Sequence, residues 1–117
     1  MQARHKLLSK LLLLLEVRLQ QTGHWQVSRP EPEAFESQEP FCIDSMSLQQ
    51  WLRYLFIPRM QALVDAQASL PRTCALTPQV EMQLTSQSQL SIIEVTQAID
   101  ELLTEGKTPP AQLLKQV

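Results

Sequence analysis

Glycine is almost missing from this chain: Gly23 and Gly106 are the only two among 117 residues. Two isolated glycines exclude a Gly-rich phosphate cradle, and their scarcity beside abundant Leu and Gln disfavours a turn-rich all-β domain. Histidine and cysteine are equally thin, at two each. His5 falls in the first turn of the first predicted helix and His24 just past its end, so no nucleophile, base and orienting acid can be assembled around them. Cys42 and Cys74 lack the C-x-x-C spacing of zinc and redox sites and read as thiols of a reducing cytosol. Asp100 and Glu101 are paired in sequence only, because neighbours on a helix point about 100° apart and cannot share a substrate proton. No metal or other cofactor is expected. A net charge of −2 lacks the cationic surplus that drives counterion release, so autonomous nucleic-acid binding is not expected either. Arg4 and Lys6 ahead of the leucine run mimic a signal peptide, but Lys10 interrupts the run and no small-residue cleavage site follows. The run is also well short of the ~20 apolar residues that cross a bilayer. The expected location is the cytoplasm, away from membranes.

What the chain does have is helical periodicity. At this length one core must serve the whole chain, so a single domain is expected. The spacing predicts a first helix from Ala3 to Thr22, closed by Gly23, with Leu8, Leu11, Leu12, Leu15 and Leu19 on one stripe. Leu13 and Val17 lie on its other side, with Leu14 at the margin. A helix apolar on both sides is either central to the bundle or offers a second face to a partner.

Ser28 to Pro40 reads as a long crossing loop whose Glu31, Glu33, Glu36 and Glu39 are solubilising or form an acidic docking surface. Ser47 and Gln50 make a capping box that opens the second helix at Leu48. Leu48, Trp51, Leu52, Leu55, Ala62, Leu63 and Ala66 keep one stripe on both sides of Pro58, which predicts a kink there and not a terminus. Arg59 falls on that stripe and would need a carboxylate: Asp44 first, then Asp65 or Asp100. Thr77 and Pro78 read as N-cap and first position of a short helix to about Leu84, with Val80 and Leu84 inward. A break is expected over 86–89. Ser91 and Glu94 form a capping box for the fourth helix, with a start one turn earlier at Ser88 as the alternative. Ile92, Val95, Ile99, Leu102 and Leu103 face inward, Glu94, Glu101 and Glu105 form a solvated face, and Gly106 ends the helix. The expected architecture is all-α: a single-domain bundle of about four mostly antiparallel helices, the second kinked at Pro58. Residues 1–106 form the bundle and 107–117 a C-terminal tail, a loose helical turn or a frayed end.

Pro40-Phe41, Asp44-Ser45-Met46, Trp51-Leu52 and above all Ile57-Pro58-Arg59-Met60 resemble the signature of the YqcC-like proteins, small bacterial proteins of unassigned function. Leu15-Glu16 through His24-Trp25 and Pro78 to Leu84 fit the same pattern. Tyr54 is a mild departure, and Cys42 and the residues after Gly106 are less typical. The resemblance implies an all-helical bundle linked by gene neighbourhood to a tRNA pseudouridine synthase, as its accessory partner, with no catalytic residue carried over. The expected function is therefore a non-catalytic binding module for an enzyme of tRNA modification. The alternative is a self-associating or small-molecule-binding helical protein that uses the apolar back of the first helix. Candidate partner-binding residues are Leu13, Val17, Trp51, Tyr54 and Arg59, with Asp44, Pro58 and Arg59 as structural positions. Trp51 and the phenylalanines read first as core and second as an aromatic anchor.

Overall fold

The N-terminal leucine run forms α1 (Gln2–Gln21) in the computed structural model, which describes residues 2–85 and 87–117. Leu8, Leu11, Leu12, Leu14, Leu15 and Leu19 are all buried. Leu14, marginal on a helical projection, is thus part of the core, and α1 is central to the bundle. Gly23 closes the helix at φ 80°, where His24 N–H reaches back to the Leu19 carbonyl at 2.9 Å. This closure needs a left-handed residue at its turn, which glycine adopts without a Cβ penalty.

The second helical region runs in three connected pieces: α2 (Leu48–Trp51), a π-helical segment (Leu52–Phe56) and α3 (Ile57–Asp65). Its capping box is present in both directions, Gln50 N–H to Ser47 Oγ at 3.1 Å and Ser47 N–H to Gln50 Oε1 at 2.9 Å. Pro58 has no N–H, and its ring would press on the carbonyl four residues back in a regular α-helix. The wider turn, in which Ile57 N–H bonds the Leu52 carbonyl, makes room for the ring. The interruption expected at Pro58 therefore takes the form of a change in winding just upstream of it.

That change overturns the expected pairing of Arg59. The buried positions are Leu48, Leu52, Phe56, Met60 and Val64, a step of four that a helix of 3.6 residues per turn holds in line only if it is locally underwound. Arg59 is rotated off this stripe and is exposed, as are Ala62 and Ala66, while Leu55 and Leu63 are half-buried. Asp44 is exposed as well, and its Oδ1 accepts from Ser37 Oγ at 2.5 Å. Among the described residues the ion pairs are Arg18–Glu94 and Lys107–Glu101.

The short α4 (Thr77–Gln83) is held at both ends by the long α5 (Gln89–Glu105). Thr77 is not its N-cap, because its hydroxyl is bonded to that of Thr96 at 3.1 Å. Asp100 takes the role from the neighbouring helix, its two carboxylate oxygens accepting from Leu76 N–H at 2.8 Å and Thr77 N–H at 2.9 Å. At the other end the Gln89 amide donates to the carbonyls of Glu81 at 2.9 Å and Val80 at 3.3 Å. Orphaned donors and acceptors of one helix are thus satisfied by side chains of its antiparallel neighbour. α5 begins with Ser88 at its N-cap position, the earlier of the two starts, and ends at Gly106 in the left-handed conformation. Thr85 is irregular; Ser86, where the break was expected to begin, lies outside the described residues.

Beyond Gly106 the chain forms α6 (Ala111–Leu114), with Leu113 buried against the core. α1 packs on α5, α3 and α6, so the leucine helix is covered from three directions. The fold is an all-α bundle with no strand among the described residues. None of its helices is long and apolar enough to cross a membrane, among the described residues.

Candidate functional site

The π-helical segment organises an aromatic wall. Residues five apart on an α-helix point about 140° from each other, but the wider winding brings Trp51 and Phe56 to one side, stacked at 5.3 Å with 27° between planes. Phe41 meets Trp51 edge-on at 4.9 Å and 66°. To do so Phe41 and Cys42 both adopt positive φ, 59° and 49°, a conformation that costs roughly 1–3 kcal/mol for a residue with a Cβ. Burial of Cys42 and the ring contacts of Phe41 offset that strain.

This wall faces the irregular segment between α3 and α4 across a cavity of 240 Å³, lined by Phe41, Trp51, Phe56 and Met60 on one side and Pro71, Thr73, Cys74 and Ala75 on the other. Burial, and then the Asp100 carboxylate, pushes the Cys74 thiol well above its ordinary range, so it stays protonated and adds to the apolar lining. Thr104 fixes its backbone, its hydroxyl accepting from Cys74 N–H at 3.0 Å.

The same segment borders a second depression, of 350 Å³, lined by Ser69, Leu70 and Arg72 with Arg4 and His5 of α1. Leu70 and Arg72 face this depression while Pro71 and Thr73 face the aromatic cavity, the alternation of an extended chain. His5 Nε2 donates to the Ala68 carbonyl at 2.6 Å, tying α1 to the end of the α3 turn. Arg4 lies over Gly106, where an added Cβ would come within 2.8 Å of its Nη2. Neither Arg4 nor Arg72 forms an ion pair among the described residues.

A third arrangement pins the crossing loop. Arg29 sits 5.6 Å from the ring centres of both Phe35 and Tyr54, and Arg53 sits 5.0 Å from Tyr54 and 4.6 Å from Trp25. Gln50, Arg53 and Tyr54 donate to the carbonyls of Ser28, Trp25 and Val27 at 3.0, 2.5 and 2.8 Å. Aromatic rings and guanidinium groups alternate in this ladder, which serves the loop's attachment.

The five expected partner-binding residues therefore do not form one surface. Trp51 belongs to the aromatic cavity, and Tyr54 to the loop ladder. Arg59 is exposed immediately before the cavity residue Met60. Leu13, 52% exposed, lines a separate depression with Ile57, Gln61 and Val117, and Val17 is half-buried. The most consequential residue missed by sequence reading is Arg18. Its guanidinium is buried between α1 and α5, donating to the Ser91 carbonyl at 2.8 Å, to Gln116 Oε1 at 2.7 Å and to Glu94 at 2.8 Å. Its place on the Leu11 and Leu15 line of α1 was the available signal.

Residues 7–102 match the model of a family described as tRNA pseudouridine synthase C. An uncharacterised protein of Haemophilus influenzae is 40% identical over 94 residues, covering 80% of this chain and 89% of that one. A protein of Pectobacterium carotovorum named tRNA pseudouridine synthase C is 48% identical over 59 residues, half of this chain but only 16% of that protein. The solution structure of YqcC from Escherichia coli superposes with a TM-score of 0.76 at 31% identity, covering 89% of this chain and 91% of that one. The bundle is thus that of a known group, and the chain belongs to the YqcC family.

Proposed function

We propose that this chain is a non-catalytic binding module that associates with a tRNA pseudouridine synthase and supports tRNA modification through that enzyme. The observation that carries the reading is the Pectobacterium relative: in a protein named tRNA pseudouridine synthase C, a stretch like half of this chain makes up 16% of the length. A segment shared with a protein of that name supports a synthase of that kind as this chain's partner.

The chemistry of the groups supports binding over catalysis. Asp100 caps α4, Glu94 meets Arg18, Asp44 accepts from Ser37, and His24 shares a hydrogen bond with Thr22 at 2.8 Å. Each of these acids and bases is committed to a local structural bond. The net charge of −2 works against independent RNA affinity, which scales with the phosphates neutralised.

Size-exclusion chromatography with light scattering tests the proposal, using the chain with and without a separately purified tRNA pseudouridine synthase C, and in parallel with tRNA alone. A heteromeric peak with the synthase and no shift with tRNA is the expected result. A shift with tRNA alone, or no peak with the synthase, would refute it.

A further inference from the structure

The segment between α3 and α4 separates two depressions of opposite character. On one side lies the aromatic cavity, whose uncharged lining includes Trp51, Phe56 and Met60. Its 240 Å³ is below the ~300–1,000 Å³ of small-molecule sites and suits one large side chain. On the other side Arg72 and Arg4 converge with Ser69. Both guanidinium groups are exposed and without an ion pair among the described residues, while Glu101 is taken by Lys107 at 3.2 Å. Arg72 sits between the cavity residues Pro71 and Thr73, and exposed Arg59 precedes cavity residue Met60. The apolar socket therefore has a cationic rim on one side only, where the 69–75 segment divides it from the depression of Arg4 and Arg72.

From this juxtaposition we infer that the two depressions form one docking strip for an acidic segment of the partner protein, which places a large apolar side chain against Trp51 and a carboxylate against Arg4 and Arg72. This rests on the reading that the partner is the synthase, and it specifies where and by what chemistry the two meet. Charge complementarity selects the occupant. A neutral apolar peptide would leave the cations unanswered, and a nucleic acid would meet the acidic crossing loop of Glu31, Glu33, Glu36 and Glu39 elsewhere on the chain.

The test is a titration of the synthase with the full chain and three groups of variants, each first checked for an unchanged helical melt. Thr73→Trp and Ala75→Trp, at two exposed lining positions, fill the socket from outside. The double variant Arg4→Glu with Arg72→Glu reverses the rim. Leu13→Glu, in a separate depression, is the control. Expected are a loss of affinity of at least ~10-fold for either filling variant, and a similar loss for the charge reversal that shrinks as salt is raised. Leu13→Glu should bind as the unmodified chain does. Binding indifferent to the socket and rim variants but lost in Leu13→Glu would overturn the strip while leaving the synthase reading intact. Absence of any complex with the unmodified chain would overturn both. A homodimer of the chain that the filling variants dissolve, with no synthase complex, would give the strip to a second copy and likewise overturn the inference.

Discussion

Arg18→Ala should be among the most damaging single substitutions in the chain, and the structure says how the cost is divided. The Arg18 side chain is 10% exposed and that of Glu94 is 56% exposed, so the ion pair itself is a surface interaction worth at most about 1 kcal/mol. The larger share comes from the bonds to the Ser91 carbonyl and Gln116 Oε1, since hydrogen bonds to a charged group contribute about 1.5–3 kcal/mol each. The buried methylene stem adds about 1 kcal/mol. Allowing for non-additivity, Arg18→Ala should cost about 3–4 kcal/mol, or on the order of 10–20 °C in Tm for a domain of this size. Arg18→Met, which keeps the stem, should cost about 1 kcal/mol less. Glu94→Ala leaves the buried guanidinium without its counter-charge but still bonded to the Ser91 carbonyl and Gln116, so it should cost about 1–2 kcal/mol, well short of Arg18→Ala. Thermal and urea unfolding of the three variants reads this directly. Equal losses for Glu94→Ala and Arg18→Ala would refute the reasoning, as would a shift below about 3 °C for Arg18→Ala.

Three further outcomes are expected. Arg59→Ala should leave stability within about 0.5 kcal/mol, since its guanidinium is exposed and outside the ion pairs; a large loss in the melt would restore it to the core. Asp100→Ala should cost about 2–3 kcal/mol by removing a charged acceptor from two backbone donors. Amide exchange should accelerate across 77–83 far more than across α1, and uniform acceleration would contradict the cap. Native Cys74 should alkylate slowly at pH 8 compared with the unfolded chain, because burial and the Asp100 carboxylate disfavour its thiolate. Asp100→Asn should speed the reaction only in part, since burial is the larger cause; site-resolved mass spectrometry after iodoacetamide checks both rates.

The parts of the fold that were legible in the sequence are those set by neighbours along the chain. α1 and α5 follow from apolar spacing, the start at Leu48 from Ser47 and Gln50, and both glycine closures from residue type. The π-helical segment was marked, since Leu48, Leu52, Phe56, Met60 and Val64 step by four. A stripe drawn at 3.6 residues per turn chose Leu55, Leu63 and Ala66 instead and carried Arg59 inward. Asp100 as a cap could not be read locally, because the donors it satisfies lie 24 and 23 residues away. Of the candidate site, Trp51 was visible as an aromatic in a helix. Its cavity was not, since the opposing wall of Pro71, Thr73, Cys74 and Ala75 has no period and gains its position only by packing.

The bond from Arg18 to Gln116 spans 98 residues, and during synthesis that separation becomes time. At 5–20 residues per second the ribosome needs roughly 5–20 s to supply the second group after the first. For the first 73 residues of that interval, until Ser91 is made, the leucine face of α1 exists without α5 and Arg18 lacks an acceptor on the far side of its groove. The nascent chain thus carries an open apolar helix until its last elements arrive, and α6, fastened through Gln116, acts as the latch that ends the exposure. A partner or a chaperone that engages α1 has its opportunity then.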